Sequence, residues 1–378
     1  MSKKLEQWMG CCRFTYNAAL AHIKAGKYHK KNLYWLRNRF VTACNVQPAH
    51  RFLLDTPKHV RDGACKDLET AYKANFARMK TKPTHRFDIR FRCKKDTQSI
   101  VIPKASVRVA DGGGILIYPR KHSAAPIRTT SRQRFSEIQH DCRLSRDRTG
   151  RWILYVPTEV ETFAEITENQ GDRICSVDPG VRTFATTWSP RGEAFKIGDG
   201  DATRFARHLI HMDGLIGEAS KAKGKRGRRL RKALARMRQR HENLMRDFHC
   251  QVANYLVKRY DVILLPHFDS KAMASRARRK LTTRTVRSMM GLGHGVFRQR
   301  LSDAASRRGV TVTECTEEYT SKTCSRCGWI HPTLGGAKTF KCKACDLRID
   351  RDLQGAFNIY LKTVSPGSPG DFALPLRP

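Results

Sequence analysis

Two groups of side chains have the types and spacing to do chemistry. Cys324-Ser325-Arg326-Cys327 and Cys342-Lys343-Ala344-Cys345 are C-x-x-C pairs separated by fourteen residues. Each pair can turn around one metal, and two together complete a tetrahedral sulfur site of the kind zinc prefers. All four positions are filled by protein, so such a zinc is structural and holds a segment with little core of its own. A single C-x-x-C would read equally as a redox dithiol; two paired ones favour metal. The second group is acidic. Asp178 ends the apolar run Ile174-Cys175-Ser176-Val177 and precedes Pro179-Gly180, which leaves its carboxylate at the mouth of a sheet or, alternatively, in an ordinary turn. Asp350-Arg351-Asp352 opens a stretch containing Gly355 and Ala356, small enough for close packing of a helix on a sheet. An acid at a helix entry is usually a cap, which suits Asp350 and leaves Asp352 for another role.

These acids stand out because the chain is basic. Its 378 residues carry 73 Lys and Arg against 34 Asp and Glu, a net charge of +39. Self-repulsion on that scale is tolerated when a polyanion neutralises it, which disfavours an ordinary metabolic enzyme and makes nucleic acid the leading partner. The densest segment, Lys221 to Lys232, includes Lys223, Lys225, Arg226, Arg228 and Arg229 and reads as a phosphate-tracking surface. It could equally be a solvated helix or a nuclear localisation signal. No run approaches the ~18 apolar residues of a membrane span, and no apolar signal core follows Met1, so a soluble intracellular protein is expected. Of thirteen cysteines, the nine outside the two pairs read as reduced thiols.

The elements that must position these residues change character along the chain. Leu5 to about Met79 reads as helical, with breaks near Gly26, Pro48 and Pro57 and with Thr56-Pro57 as a helix start. From His85 to about Val160 short alternating runs follow: Phe87 to Phe91, Ser99 to Ile102, Ile115 to Tyr118 and Trp152 to Val156, suggesting a small β-barrel or sheet. Three strands follow, at 173–177, 183–188 and 194–197. A long helical stretch then runs from about Ala202 to Arg259, before a strand at 262–265, a helix from 285 to 308 and a strand from Val310. That order of strands and helices is the order of an RNase H-like α/β domain. The tail from Ser365 is expected to be flexible. His249 and His294 read as packed helical residues before they read as catalytic helpers.

Val177-Asp178-Pro179-Gly180, the string Tyr319-Thr320-Ser321-Lys322-Thr323 leading into Cys324 to Gly328, and Asp350-Arg351-Asp352 with Asn358-Ile359 resemble TnpB-like nucleases. The likeness extends from Arg13-Phe14-Thr15-Tyr16-Asn17 through Phe91 to Asp96 and on to about Leu361. It implies an RNA-guided DNA endonuclease with a RuvC (RNase H-like) domain carrying an inserted zinc ribbon. One departure matters: the family takes a glutamate from the strand at 262–265, where this chain has Leu265-Pro266-His267-Phe268. Neighbouring strands lie only ~4.8 Å apart, so a glutamate from the next strand's end can reach the same point. Glu317 in Glu-x-Tyr-Thr-Ser fits the relocated glutamate of the eukaryotic Fanzor branch and of rearranged TnpB proteins, whereas strand parity counted from Val310 and Val312 favours Glu318. The family also begins with a β-strand that helps to build the barrel, and this chain opens almost at the first helix.

The resemblance therefore implies Asp178, Glu317 and Asp352 as catalytic ligands of two Mg²⁺ ions, and Cys324, Cys327, Cys342 and Cys345 as ligands of Zn²⁺. It implies a guide RNA and a double-stranded DNA target as partners of a monomeric ribonucleoprotein, nuclear if eukaryotic, without membrane attachment. RNA contacts are expected on Arg92, Lys94 and Lys95. The implied division is a helical recognition region (1–82), a barrel domain (83–170), a first nuclease part (171–318), the ribbon (319–348), a final nuclease helix (349–364) and the tail (365–378). Two other classes stay open: a catalytically inactive RNA- and DNA-binding protein on the same scaffold, and a strand-joining transposase, against which the ribbon's place between the second and third acids argues.

Overall fold

The computed structural model describes residues 2–26, 33–82, 84–111, 114–119, 135–159, 173–275, 281–316 and 318–364, and divides into two units, Met1–Glu159 and Val160–Pro378. Glu317 and the tail from Ser365 lie outside the described residues. The first unit contains helices α1 (Ser2–Lys24), α2 (Leu33–Phe40) and α3 (Lys58–Thr81), then strands β1 (Gln98–Ile102), β2 (Val107–Val109), β3 (Ile115–Ile117), β4 (Cys142–Arg146) and β5 (Trp152–Tyr155). Leu5, Trp8, Cys12, Ala19 and Leu20 of α1 recur at helical spacing and bury with Val60, Ala64 and Leu68 of α3 and with Ile100, Ile102 and Leu144 of the sheet. Pro57 is itself the cap of α3, and the Thr56 hydroxyl is buried without a hydrogen bond, unlike the expected Thr56 cap.

The expected barrel is not closed among the described residues. β1, β4 and β5 form an antiparallel three-stranded sheet with β1 and β5 at its edges, and β2 and β3 pair separately. Three strands of four or five residues are too few to close on themselves. The alternating run Phe87 to Phe91 forms no strand either: it is irregular chain in which Ile89 is buried while Phe87 and Phe91 are exposed.

The second unit runs β6 (Ile174–Pro179), β7 (Ala185–Trp188), β8 (Ala194–Ile197), α4 (Asp201–Lys221), α5 (Gly224–Arg259), β9 (Val262–Pro266), α6 (Ser270–Ala274), α7 (Thr283–Leu292), α8 (His294–Ser306), β10 (Thr311–Cys315), β11 (Thr339–Lys341), β12 (Arg348–Asp350) and α9 (Arg351–Val364). Its sheet has the order β10-β9-β6-β7-β8, with β6, β7 and β8 antiparallel and with β9 and β10 parallel to β6. Cys175, Val177, Ile263 and Leu265 face a core shared with Val252 and Leu256 of α5 and Phe297 and Leu301 of α8. On the other face α9 covers β6 and β7: the Ser176 hydroxyl donates to the Ala356 carbonyl at 2.6 Å, and Trp188 packs on Phe357 with ring centroids 4.5 Å apart. The helix expected from Thr285 to Arg308 is two helices, because Gly293 adopts a left-handed φ of 64° between α7 and α8. No helix among the described residues is long and apolar enough to cross a membrane.

Candidate active site and metal centre

Asp178 is the fifth residue of β6 and half-buried at the strand's C-terminal end. Side chains alternate across a strand, so with Cys175 and Val177 in the α5/α8 core, Ser176 and Asp178 point to α9. There the helix presents Gly355, and a Cβ added at that position would collide with the Asp178 carboxylate. Asp352 lies three residues earlier on α9, on the same helix face as Gly355. The two acids, separated by more than 170 residues of chain, are thus brought to one end of one sheet. Asp350 is the helix cap the sequence suggested: its Oδ1 accepts from the backbone N–H groups of Asp352 at 3.0 Å and Leu353 at 3.2 Å. Its Oδ2 accepts from Lys196 at 2.6 Å. Burial alone would raise the Asp350 pKa, but the Lys196 ammonium and these backbone donors together hold it below the usual carboxylate value.

The strand register locates the third position. Pairing of β6 with β9 sets Ser176 opposite Leu264, and continuing by two residues sets Asp178 level with Pro266. Pairing of β9 with β10 sets Pro266 opposite Cys315. Asp178, Pro266 and Cys315 therefore form one row on the α9 side of the sheet. Val312 packs into the α5/α8 core, and Glu314, of the same parity, pairs with Arg298 of α8 at 3.2 Å. Counting from Val310 and Val312, which pointed to Glu318, follows the face opposite Asp178. Glu318 itself is exposed, and its carbonyl accepts from Lys362 at 3.3 Å.

His294, treated as a packed residue from sequence, has a defined partner: its Nε2 meets the Gly180 carbonyl at 2.9 Å, just beyond Asp178-Pro179. Its ring stacks on Phe184 at 4.7 Å. His249 contacts the Leu292 carbonyl through Nε2 at 2.8 Å and Arg300 through Nδ1 at 2.9 Å. Burial is the main cause that pushes both imidazoles down to about 4, so they are neutral braces at pH 7 and not proton shuttles.

The four cysteine sulfurs lie within 4.8 Å of one another, with Cys324 and Cys345 at 3.6 Å and Cys327 and Cys342 at 3.5 Å. A tetrahedron of sulfurs about ~2.3 Å from one ion has edges of roughly 3.8 Å, so the residues present fit a metal. Among the described residues this is the one group of three or more ligating side chains within reach of a single ion. Both turns close alike. Gly328 with φ 74° follows Cys327, and Asp346 with φ 54° follows Cys345. The Cys324 and Cys342 N–H groups donate to the Trp329 and Leu347 carbonyls. A small core of Leu334, Phe340 and Leu347 sits beneath. α9 ties down this segment through side chains of the quoted strings and through Gln354. The Asn358 amide donates to the Thr320 and Thr323 carbonyls, each at 2.7 Å, the Ser325 hydroxyl donates to Gln354 at 2.9 Å, and Gln354 donates to the Thr323 carbonyl. Gln354 is fully buried and Asn358 nearly so, and both amides are hydrogen-bonded.

Among the expected nucleic-acid contacts, Lys94 and Lys95 are exposed on a turn. Arg92 is instead committed to its own unit: its guanidinium donates to Asp67 at 2.9 Å and lies 3.9 Å from the Tyr16 ring centroid. Lys223, Lys225, Arg226, Arg228 and Arg229 are all exposed, at the break between α4 and α5 and in the first turns of α5. No acid occupies that first turn, so the helix dipole adds to the cations' mutual repulsion.

Residues 294–359 match the family model described as Cas12f1-like, TNB domain, and residues 2–31 match a helix-turn-helix model. The chain is 28% identical to the putative transposase A625R of Paramecium bursaria Chlorella virus 1, over 96% of its own length and 83% of that protein's. It is 24% identical to the TnpB-like protein L79 of Acanthamoeba polyphaga mimivirus (96% and 71% covered). It is also 24% identical to the putative RNA-guided DNA endonuclease InsQ of Escherichia coli strain K12 (94% and 87% covered). Among solved structures, Cas12f1 in its complex with sgRNA and target DNA aligns with a TM-score of 0.55 at 14% identity, covering 95% of this chain and 82% of that one. The mixed α/β fold is therefore of the Cas12f1 kind.

Proposed function

We propose that this chain, which belongs to the TnpB/Cas12f-like family, is an RNA-guided DNA endonuclease that binds a guide RNA and cuts target DNA at Asp178, Asp352 and Glu317. The observation that carries this reading is the approach of α9 to β6, where Gly355 admits the Asp178 carboxylate on the helix face that also carries Asp352. The sheet order β10-β9-β6-β7-β8 supports the RNase H-like (RuvC) assignment, and the name of the similar InsQ protein supports the activity. The reading carries with it a six-part division at 82, 170, 318, 348 and 364, with the first two parts engaging RNA and the ribbon engaging target nucleic acid.

Asp178, Asp352 and Glu317 would hold two magnesium ions. When bound, magnesium supplies an activated water and offsets charge on the scissile phosphate. The chain's own residues set the geometry: Gly355 allows the helix close, Asp350 fixes the first turn that carries Asp352, and His294 holds the loop after Asp178. For the third acid the motif Glu-x-Tyr-Thr-Ser supports Glu317, with Glu318 as the alternative. The four cysteines would hold a structural zinc.

The test is plasmid cleavage with the co-purified RNA and Mg²⁺. Wild-type protein should cut, Asp178→Ala should not, and Glu317→Gln should lose activity while Glu318→Gln keeps it. Sequencing the bound RNA should return one scaffold with a variable 3′ end. Random fragments, or cutting that survives Asp178→Ala, would remove the proposal.

A further inference from the structure

Two arginines that flank the acids of the nuclease unit end on one turn of the ribbon. Arg182, in the loop that follows Asp178, donates from Nη1 to the Gly336 carbonyl at 3.2 Å. Arg351, the neighbour of Asp352, donates from Nη1 to the Gly335 carbonyl at 2.8 Å. Among the described residues neither guanidinium pairs with an acid. Consecutive Cα atoms are only ~3.8 Å apart, so the two cations converge on neighbouring peptide units. The turn that receives them is fixed at both ends: Leu334 is buried in the ribbon core, and the Lys338 carbonyl accepts from the Arg351 backbone N–H at 2.8 Å. Between these anchors Gly335 takes a left-handed φ of 58°. The loop bearing Arg182 is equally tight. The Gly180 N–H donates to the Phe184 carbonyl at 3.0 Å, and a Cβ at Gly180 would lie 2.6 Å from the Thr183 carbonyl.

A path of short links therefore runs from Asp178 through Arg182 to Gly336 and Gly335, and back through Arg351 to Asp352. Packing of α9 on the sheet, through Gly355, Ala356 and Phe357, sets how closely the helix lies, but it acts further along the helix than Asp352. The first turn is held by other means. The Lys196–Asp350 pair ties it to β8, and the glycine turn ties it to the loop that follows Asp178 itself. Hydrogen bonds from an ionised donor are about twice as strong as neutral ones, so two of them on one turn make a firm link. We infer that the Gly335-Gly336 turn is a strut that sets the separation of Asp178 and Asp352, with Arg182 and Arg351 as its positioning residues. This role rests on the endonuclease reading and deepens it, since the ribbon then sets the geometry of cutting in addition to engaging nucleic acid.

The test compares Arg182→Gln, Arg351→Gln and the double variant in the full chain with its co-purified RNA, reading single-turnover plasmid cleavage at saturating protein and, separately, affinity for the same plasmid. Each single variant should cut roughly 10 to 100 times more slowly, with affinity and zinc content unchanged. Because either change breaks the same strut, the double variant should be no slower than the slower single. Arg351→Lys, which keeps a donor, should recover part of the rate. Gly335→Val, whose β-branched side chain is strained at that φ, should reproduce the loss with both arginines present, and Gly335→Asn, which tolerates it, should rescue most of the rate. The arginine variants leave the ribbon's cysteines and core untouched, so they decide the matter even where the valine variant fails to fold. Losses that multiply, losses that fall on affinity, or full rates in both arginine variants would overturn the strut. Hydrogen exchange reads the same link without any cutting: Arg351→Gln should speed exchange at residues 180–184, across the turn from the substitution. Unchanged exchange there would remove the strut from a protein that still cuts, whereas wild-type protein that cuts nothing would remove the nuclease and leave this readout intact.

Discussion

The collision awaiting any side chain at residue 355 makes Gly355 as demanding a position as the acids it separates. Alanine is the better helix former by about 1 kcal/mol, so Gly355→Ala should leave α9 intact. It should nonetheless displace the Asp178 carboxylate, and misplacement of about 1 Å can cost on the order of 100-fold in rate. The expected outcome is plasmid cleavage reduced to that degree with an unchanged circular dichroism spectrum, and full activity would show that the two acids need not be so close. Asp178, Asp350 and Asp352 were legible in the sequence because acids are scarce and each sits at an element's end. Arg92 was not: its partner Asp67 lies on α3, 25 residues earlier, and no spacing rule distinguishes a paired arginine from a free one. Strand parity counted from Val310 and Val312 follows the face opposite Asp178 for a related reason. Both faces of the sheet are covered, so the valines mark the larger core and not the face that bears Asp178.

At the level of elements, the sheet strands and the long helices were read to within a few residues, since each is a continuous apolar or amphipathic run. The α7–α8 break escaped because its cause is the backbone angle of one glycine inside an otherwise periodic pattern, and the strands of the first unit were read only in part because they are three to five residues long. Two elements carry predictions. Burial lowers the His249 and His294 pKa values from 6.5 to about 4, so the unfolded chain takes up these protons first. Their contribution to stability is complete above pH 6.5 and is lost as pH falls toward 4. Urea midpoints should therefore decline between pH 7 and pH 4.5, and less steeply in His294→Gln, whose amide can still donate to the Gly180 carbonyl; parallel declines would remove the histidine from the account. In the ribbon, a core of three apolar side chains holds little without metal. Cys324→Ser or Cys342→Ser should each abolish stoichiometric zinc by elemental analysis and render the segment around Trp329 protease-sensitive. Zinc retained at one equivalent would contradict the four-cysteine centre.

Across the whole chain, charge is the dominant property. A net +39 should make nucleic-acid affinity fall steeply with salt, and the exposed cations opening α5 should supply part of that slope. Replacing Lys225, Arg226, Arg228 and Arg229 together by Gln should flatten the log–log slope on duplex DNA by up to about 3.6, at 0.9 per phosphate contact. A slope that does not change would mean that the phosphates run elsewhere.

Pro266 stands in the row that joins Asp178 to Cys315, one strand nearer to Asp178 than β10 is. A carboxylate grafted at that position would be presented to the same face as the native acids. Pro266→Glu should then act as an intragenic suppressor of Glu317→Gln, with activity returning in the double variant. Two lineages could thus exchange the strand that bears their middle acid through a doubly acidic ancestor, without ever passing through an inert protein.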